Sequence, residues 1–199
     1  MSFKKWMSYI SIDVGSILQG LSPIPNTHLV TRTTGRAVRA VIEDRLCNIQ
    51  APGLSLIDFS EIGVMDFSCA DEVVARLLVR FVDTSRPREI FFILKGLSPS
   101  HLEPLSEVLE RQEILAIHQD PSGSIELLGS VSPAESKVWD FIENNKVVSK
   151  KEIKSAFVEE DQRAWTRLAN QRVIFQEINE NLYHSLGSII KDTGQKYSC

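Results

Sequence analysis

From Thr31 to Leu46 the apolar residues Ala37, Val38, Val41, Ile42 and Leu46 recur at three- and four-residue spacing, the period of an amphipathic helix. The same spacing puts Arg32, Arg36, Arg39 and Arg45 on its outer face. Pro52-Gly53 then breaks the chain, and Leu54 to Phe59 runs nearly continuously apolar, which predicts a strand buried on both faces in a partly parallel sheet. Val73, Val74, Leu77, Leu78 and Phe81 form the apolar stripe of a second helix. Its start is expected at Ser68, with Asp71 three residues on as the partner in a capping box. Ile90 to Leu94 predicts another short buried strand, and Ser98-Pro99 a helix with a cap and Pro in its first position. Ile114 to Gln119 and Ser124 to Leu128 flank Asp120-Pro121-Ser122-Gly123 and read as a hairpin. Near the N-terminus Trp6, Tyr9, Ile10, Ile12 and Val14 alternate only in part, which fits a strand or a helix; Gly20 to Pro25 is turn-like. Strands alternating with helices predict an α/β sandwich for residues 1–129.

Beyond Gly129 the pattern changes. Ser132-Pro133-Ala134-Glu135 is a capping box ahead of Val138, Trp139 and Ile142, and Ser149-Lys150-Lys151-Glu152 a second one ahead of Ile153, Ala156 and Phe157. A third helix is expected from about Glu159 to Gln171, burying Ala164, Trp165 and Leu168. Val173 to Ile178 and Leu182 to Leu186 then alternate around Asn179-Glu180-Asn181, a hairpin with turn chemistry. Residues 130–186 thus form a second unit, and 187–199, with Gly187, Gly194 and a polar end, are expected to be a loose tail.

Composition narrows the class. Of the 199 residues 43% are hydrophobic and 24% charged, as in a soluble globular protein, and no apolar run reaches the roughly 20 residues that span a bilayer. The start of the chain makes a poor secretory signal, so a cytoplasmic protein is expected. Cys47, Cys69 and Cys199 are odd in number and lack CxxC spacing, and His28, His101, His118 and His184 stand isolated. Neither a disulfide framework, a metal nor a cofactor is predicted. Residues 1–130 hold 12 Lys and Arg against 16 Asp and Glu, and residues 131–199 hold ten against ten. Neither part is the strongly basic body that grips nucleic acid by bulk charge.

The stretch Leu56-Ile57-Asp58-Phe59-Ser60, followed after a short loop by Asp66-Phe67-Ser68-Cys69-Ala70-Asp71-Glu72, displays a hydroxyl at a helix start, where free N–H groups and the helix dipole favour added negative charge. These residues resemble the STAS domain of anti-sigma-factor antagonists, and more closely the STAS-like family with a Ser-x-Ala-Asp-Glu sequence. By order of elements the resemblance covers residues 28–120, with a closing hairpin where antagonists have a last helix. It implies an α/β domain with a mixed sheet, and a Ser68 that a partner kinase phosphorylates to switch binding of a sigma-factor regulator; Cys69 stands where the antagonist pattern has Gly. The partner-binding surface expected on this basis is Asp66, Ser68, Cys69, Asp71 and Glu72.

The second unit resembles a winged helix-turn-helix domain by the order and spacing of its elements. With Ala164, Trp165 and Leu168 inward, Gln162, Arg163, Thr166, Arg167 and Asn170 share the opposite face, and these side chains can bond base edges and phosphates. Glu159, Glu160 and Asp161 at the helix start and Glu177 and Glu180 on the hairpin weigh against phosphate contact. Three functions follow. The first is a non-enzymatic regulator that switches protein partners. The second is a transcription factor that binds duplex DNA, with the first unit as a sensing part or as the homodimer interface. The third is a thiol enzyme using Cys69, whose place in a first helical turn would lower its pKa.

Overall fold

The computed structural model describes residues 7–22, 24–82, 89–158, 161–177 and 179–194. The described residues divide into two compact units, 7–130 and 131–194.

The first unit is α/β, built on a mixed five-stranded sheet. Strands β1 (Ser8–Asp13), β3 (Gly53–Asp58), β5 (Ile90–Lys95) and β6 (Ala116–Gln119) run parallel in that spatial order, and β7 (Ile125–Leu128) closes the sheet antiparallel to β6. Register is in step across the centre: Leu54 lies opposite Tyr9 and Phe91, and Ile57 opposite Ile12 and Leu94. Parallel neighbours need crossovers, and crossovers of one hand along a sheet that grows in sequence order place their helices on one face. The crossovers are α1 (Val14–Gly20), α2 (Arg32–Cys47), a composite helix and α5 (Pro99–Arg111). One core joins them to the sheet, with Val14, Leu18, Val38, Ile42, Leu77 and Leu105 packed with Ile12, Ile57, Ile90 and Phe92. The intervening residues Leu54, Leu56, Phe91 and Ile93 are buried as well, so these strands read in the sequence as continuous apolar runs rather than as alternation. The partial alternation before Val14 is a strand that passes directly into α1, whose first turn is capped by the Asp13 carboxylate. Trp6 lies outside the described residues. A short parallel pair, β2 (His28–Leu29) and β4 (Val64–Met65), has no counterpart in the sequence reading because two-residue strands carry no period.

The composite helix is α3 (Phe67–Cys69), a π-helical segment (Ala70–Ala75) and α4 (Arg76–Val82). Its cap differs from expectation. Asp66, not Ser68, is the N-cap: its carboxylate accepts from the Cys69 amide at 2.8 Å, and Asp71 faces arginines instead of closing a capping box. Asp and Ser are both strong cap formers, and two of them within three residues leave the local pattern ambiguous.

The second unit sets α6 (Pro133–Asn145), α7 (Lys150–Ala156) and α8 (Gln162–Asn170) with a three-stranded antiparallel sheet ordered β8 (Val147–Ser149), β10 (Leu182–Ser185), β9 (Ile174–Glu177). Both capping boxes form: the Ser132 amide donates to Glu135 at 2.8 Å and the Ser149 amide to Glu152 at 2.7 Å. Ile142, Ile153, Leu168 and Trp165 are buried. The third helix is shorter than expected, since its described part begins at Gln162 after Asp161, and Glu159 and Glu160 lie outside the described residues. The expectation of a loose tail from residue 187 is corrected through Gly194: α9 (Leu186–Gly194) buries Leu186, Ile189 and Ile190, and the Ser185 hydroxyl accepts from the Ser188 amide. The two glycines suggested a break, but the spacing of 186, 189 and 190 is helical and a buried face outweighs about 1 kcal/mol of glycine propensity. Residues 195–199 lie outside the described residues. No described helix is long and apolar enough to cross a membrane.

Candidate functional site

In the first unit the site begins where α2 meets α3. Gly35 lets them touch: a Cβ there would lie 3.0 Å from Glu72 Cβ and 3.2 Å from both Cys69 Cα and Sγ. Thr31, the N-cap of α2, has φ 73°, a conformation that a β-branched residue avoids. It is held from both sides, since its amide donates to Asp66 Oδ2 at 3.0 Å while its carbonyl accepts from Cys69 Sγ at 3.0 Å and from the Gly35 amide at 3.1 Å. Asp66 thus secures the first turns of two helices at once.

This close approach brings the arginines of α2 over the π-helical segment. Arg32 and Arg36 stand on the outer face as expected and Arg39 is half-buried, and all three also reach across to buried acids, which the sequence reading did not foresee. Asp71 is 2% and Glu72 0% exposed. Arg32 Nη1 bonds both Asp71 Oδ2 and Glu72 Oε1 at 2.9 Å, and Arg39 Nη2 bonds Glu72 Oε2 at 3.1 Å. Arg36 Nη2 lies 3.8 Å from Glu72 Oε1, Arg76 Nε 3.3 Å from Asp71 and 3.4 Å from Glu72, and Arg111 of α5 3.7 Å from Asp71 Oδ1. Arg111 also stacks 4.8 Å from the centre of the Phe67 ring. Burial alone would raise both carboxyls, but hydrogen bonds from Arg32 and Arg76 hold Asp71 below the ordinary carboxylate range, and those from Arg39 and Arg32 do the same for Glu72.

Of the five residues expected to form a partner surface, the structure therefore leaves Asp66 and Ser68 half-buried and places Cys69, Asp71 and Glu72 inside. Cys69 is corrected further. Burial first, then the Asp66 charge, pushes its thiol up to about 12, so it is not the activated thiolate a first-turn position suggested. With Asp66 as the cap, Ser68→Ala should change stability by less than about 0.5 kcal/mol. Asp66→Ala should cost about 1–2 kcal/mol, the range of a strong cap, since it strands two amides. Equal losses in urea unfolding of the two variants would contradict this assignment.

In the second unit an open concavity of about 670 Å³ lies along α7 and α8. Its cations are Lys150 and Lys154 from α7 and Arg163 and Arg167 from α8, with Thr166 and Asn170 beside them and, among the described residues, no acidic side chain in the lining. Arg163, Thr166 and Asn170 are exposed along one stripe of α8, and Gln162 opens the helix. Arg167 is half-buried and committed inward, its Nη1 held between both oxygens of Glu135 at 2.7 and 2.8 Å. Burial would raise Glu135, but the Arg167 hydrogen bond and the Ser132 amide keep it low. On the hairpin Glu177 faces His184, whose Nε2 lies 3.0 Å away. No family model, curated protein or solved structure matches this chain.

Sequence reasoning missed Lys150, which sits inside a capping box, and Lys154, two residues beyond it. It also missed the acid-arginine cluster. Arginines at 32, 36 and 39 and the pair Asp71-Glu72 were each visible, but only the glycine at 35 hinted that the two helices come close enough to join them. Among the described residues, no three His, Cys, Asp or Glu side chains converge as metal ligands would.

Proposed function

We propose that this chain is a non-enzymatic regulatory protein of the cytoplasm whose second unit, a winged helix-turn-helix-like module, docks on duplex DNA, and whose first unit, a STAS-like α/β domain, is the regulatory part. The observation that carries this reading is the concavity of α7 and α8, where Lys150, Lys154 and Arg163 gather with Thr166 and Asn170, the fourth cation, Arg167, being paired with Glu135, in a unit whose formal charge is balanced as a whole. Amide and guanidinium groups on one exposed helix stripe can read base edges, and lysines on the helix before it can hold the backbone phosphates. Of the two acids on the hairpin, Glu177 does not count against this as strongly as the sequence suggested, because it is turned to His184, whereas Glu180 stays exposed.

Fluorescence anisotropy of a labelled mixed-sequence duplex with the full chain tests it. Binding should weaken steeply with salt, with a log-log slope near −3 for three or four phosphate contacts. Lys154→Ala should weaken all sequences alike, whereas Arg163→Ala and Asn170→Ala should cost about 1–3 kcal/mol on the preferred sequence and blur the preference. Arg167→Ala should act through stability instead, because its guanidinium is spent on Glu135. Absence of duplex binding at low salt would sink this reading.

A second reading, partner switching at Ser68, keeps one specific support. Its hydroxyl is not the helix cap, because Asp66 holds that place, and the side chain remains half exposed in the first turn of α3. A partner kinase or a sigma-factor regulator is the class of protein this reading calls for. Ser68→Glu should then shift partner affinity far more than stability, and unchanged capture of every native partner would reject it.

A further inference from the structure

Three guanidinium groups converge on a single carboxylate oxygen in the first unit. Arg32 Nη1 lies 2.9 Å, Arg76 Nε 3.4 Å and Arg36 Nη2 3.8 Å from Glu72 Oε1. A carboxylate oxygen has about two acceptor sites, and each guanidinium has five N–H donors, so most of these donors are left over. They are also accessible: the side chains of Arg32, Arg76 and Arg36 are 43%, 51% and 65% exposed, while Glu72 beneath them is sealed. Arg111, 55% exposed, stands at the edge beside Asp71.

The charges do not balance. Among the described residues, Arg32, Arg36, Arg39, Arg76 and Arg111 are set against the two buried acids Asp71 and Glu72, a surplus of three positive charges before Arg39's second partner, Glu43, is counted. Glu43 takes Arg39 and Arg80 together, which adds one charge of each sign and leaves the surplus unchanged. Asp66 accepts from the neutral amides of Thr31 and Cys69 and, among the described residues, forms no ion pair with these arginines.

We propose that the outward donors of Arg32, Arg36 and Arg76 form a binding site for a phosphate-class oxyanion, the dianionic head of a small phosphomonoester. The buried acids act as positioning groups. They hold the forks of Arg32 and Arg76 from below by hydrogen bonds, so that less side-chain entropy is left to lose when an anion arrives from above, while Arg36 is drawn toward the same oxygen by charge alone. A phosphate dianion presents three oxygens and offsets two of the three surplus charges, whereas a carboxylate offers two oxygens and offsets one. The strained Thr31 backbone, locked by Asp66 and Cys69 next to Arg32, belongs to the same preorganisation. The site lies wholly in the first unit and is independent of DNA binding by the second.

The test is calorimetric titration of inorganic phosphate into the full chain at pH 7.5, with sodium chloride at equal ionic strength and acetate as controls. Phosphate should bind and raise the melting temperature, and acetate should bind more weakly. Arg36→Gln and Arg76→Gln should each weaken phosphate about tenfold, the factor expected from losing one charge-assisted hydrogen bond. Arg36 makes the longest contact of the set, so its replacement leaves the fold intact and keeps the result readable. Arg45→Gln, on the same helix but outside the cluster, and Lys154→Ala, in the concavity of the other unit, should leave phosphate binding unchanged. Phosphate acting no differently from chloride, binding by Arg36→Gln and Arg76→Gln as tight as by the parent chain, or loss of binding in Lys154→Ala would each overturn the proposal.

Discussion

Trp165→Ala should unfold the second unit and spare the first. The side chain is 5% exposed in α8, and truncating a buried aromatic costs about 3–5 kcal/mol, a large part of what a core of some 60 residues supplies. Two transitions are expected in urea for the parent chain. In the variant the transition of the second unit should disappear, while that of the first keeps its midpoint. Limited proteolysis should then cut freely after Ser130 in the variant and leave a fragment ending near that residue. A single transition that shifts as a whole would mean that the two units do not fold separately.

The second large effect is expected at Arg39, the least exposed of the arginines over the buried acids at 18%. Arg39→Met removes the donor to Glu72 Oε2 and leaves that oxygen buried, which should cost about 1.5–3 kcal/mol, the range for a hydrogen bond to a charged group. Arg36→Met, facing the same carboxylate from a position 65% exposed, should stay within about 0.5 kcal/mol. If the two variants are equally destabilised, burial is not what sets the strength of these pairs. Combining Arg39→Met with Glu72→Leu should recover part of the loss, since removing both halves of a buried pair leaves no stranded charge.

The pH dependence has a fixed sign. Asp71, Glu72 and Glu135 all titrate below their ordinary values of 3.8, 4.5 and 4.5 in the folded chain. The unfolded chain therefore binds protons first as pH falls. The stability these groups contribute is complete above those ordinary values and is lost as pH drops through the lower folded-state ones. The acid limb of the stability curve should be shallower in the Arg39→Met, Glu72→Leu double variant, where one of the three is gone.

What the sequence disclosed was whatever depends on neighbours in the chain. Strands β3 and β5 follow from unbroken apolar runs, the β6–β7 hairpin from Asp120 to Gly123, and α6 and α7 from their Ser and Glu boxes, because each signal is complete within a few residues. The site was less legible. Ser68 and Asp71 imitate a capping box three residues apart, and nothing local says that Asp66 wins or that Ala70–Ala75 widens into a π-helix. Arginines on a helix periodicity read as solvated until a buried carboxylate from another helix is known to lie beneath them. In the second unit Arg163, Thr166 and Asn170 share an exposed stripe of α8, yet Arg167 is claimed by Glu135, a partner 32 residues earlier in the chain.

Gly35 also offers a way to recognise relatives that overall similarity would miss. A side chain there would meet Glu72 and Cys69, so any chain that keeps the acidic pair buried against α2 needs a residue without a Cβ, or nearly so, at that place. Arg32, Gly35, Arg36 and Arg39 follow one another as Arg-x-x-Gly-Arg-x-x-Arg, and the acidic pair comes on a later helix. A search keyed to that spaced fingerprint, rather than to identity along the whole length, would find chains built around the same arrangement.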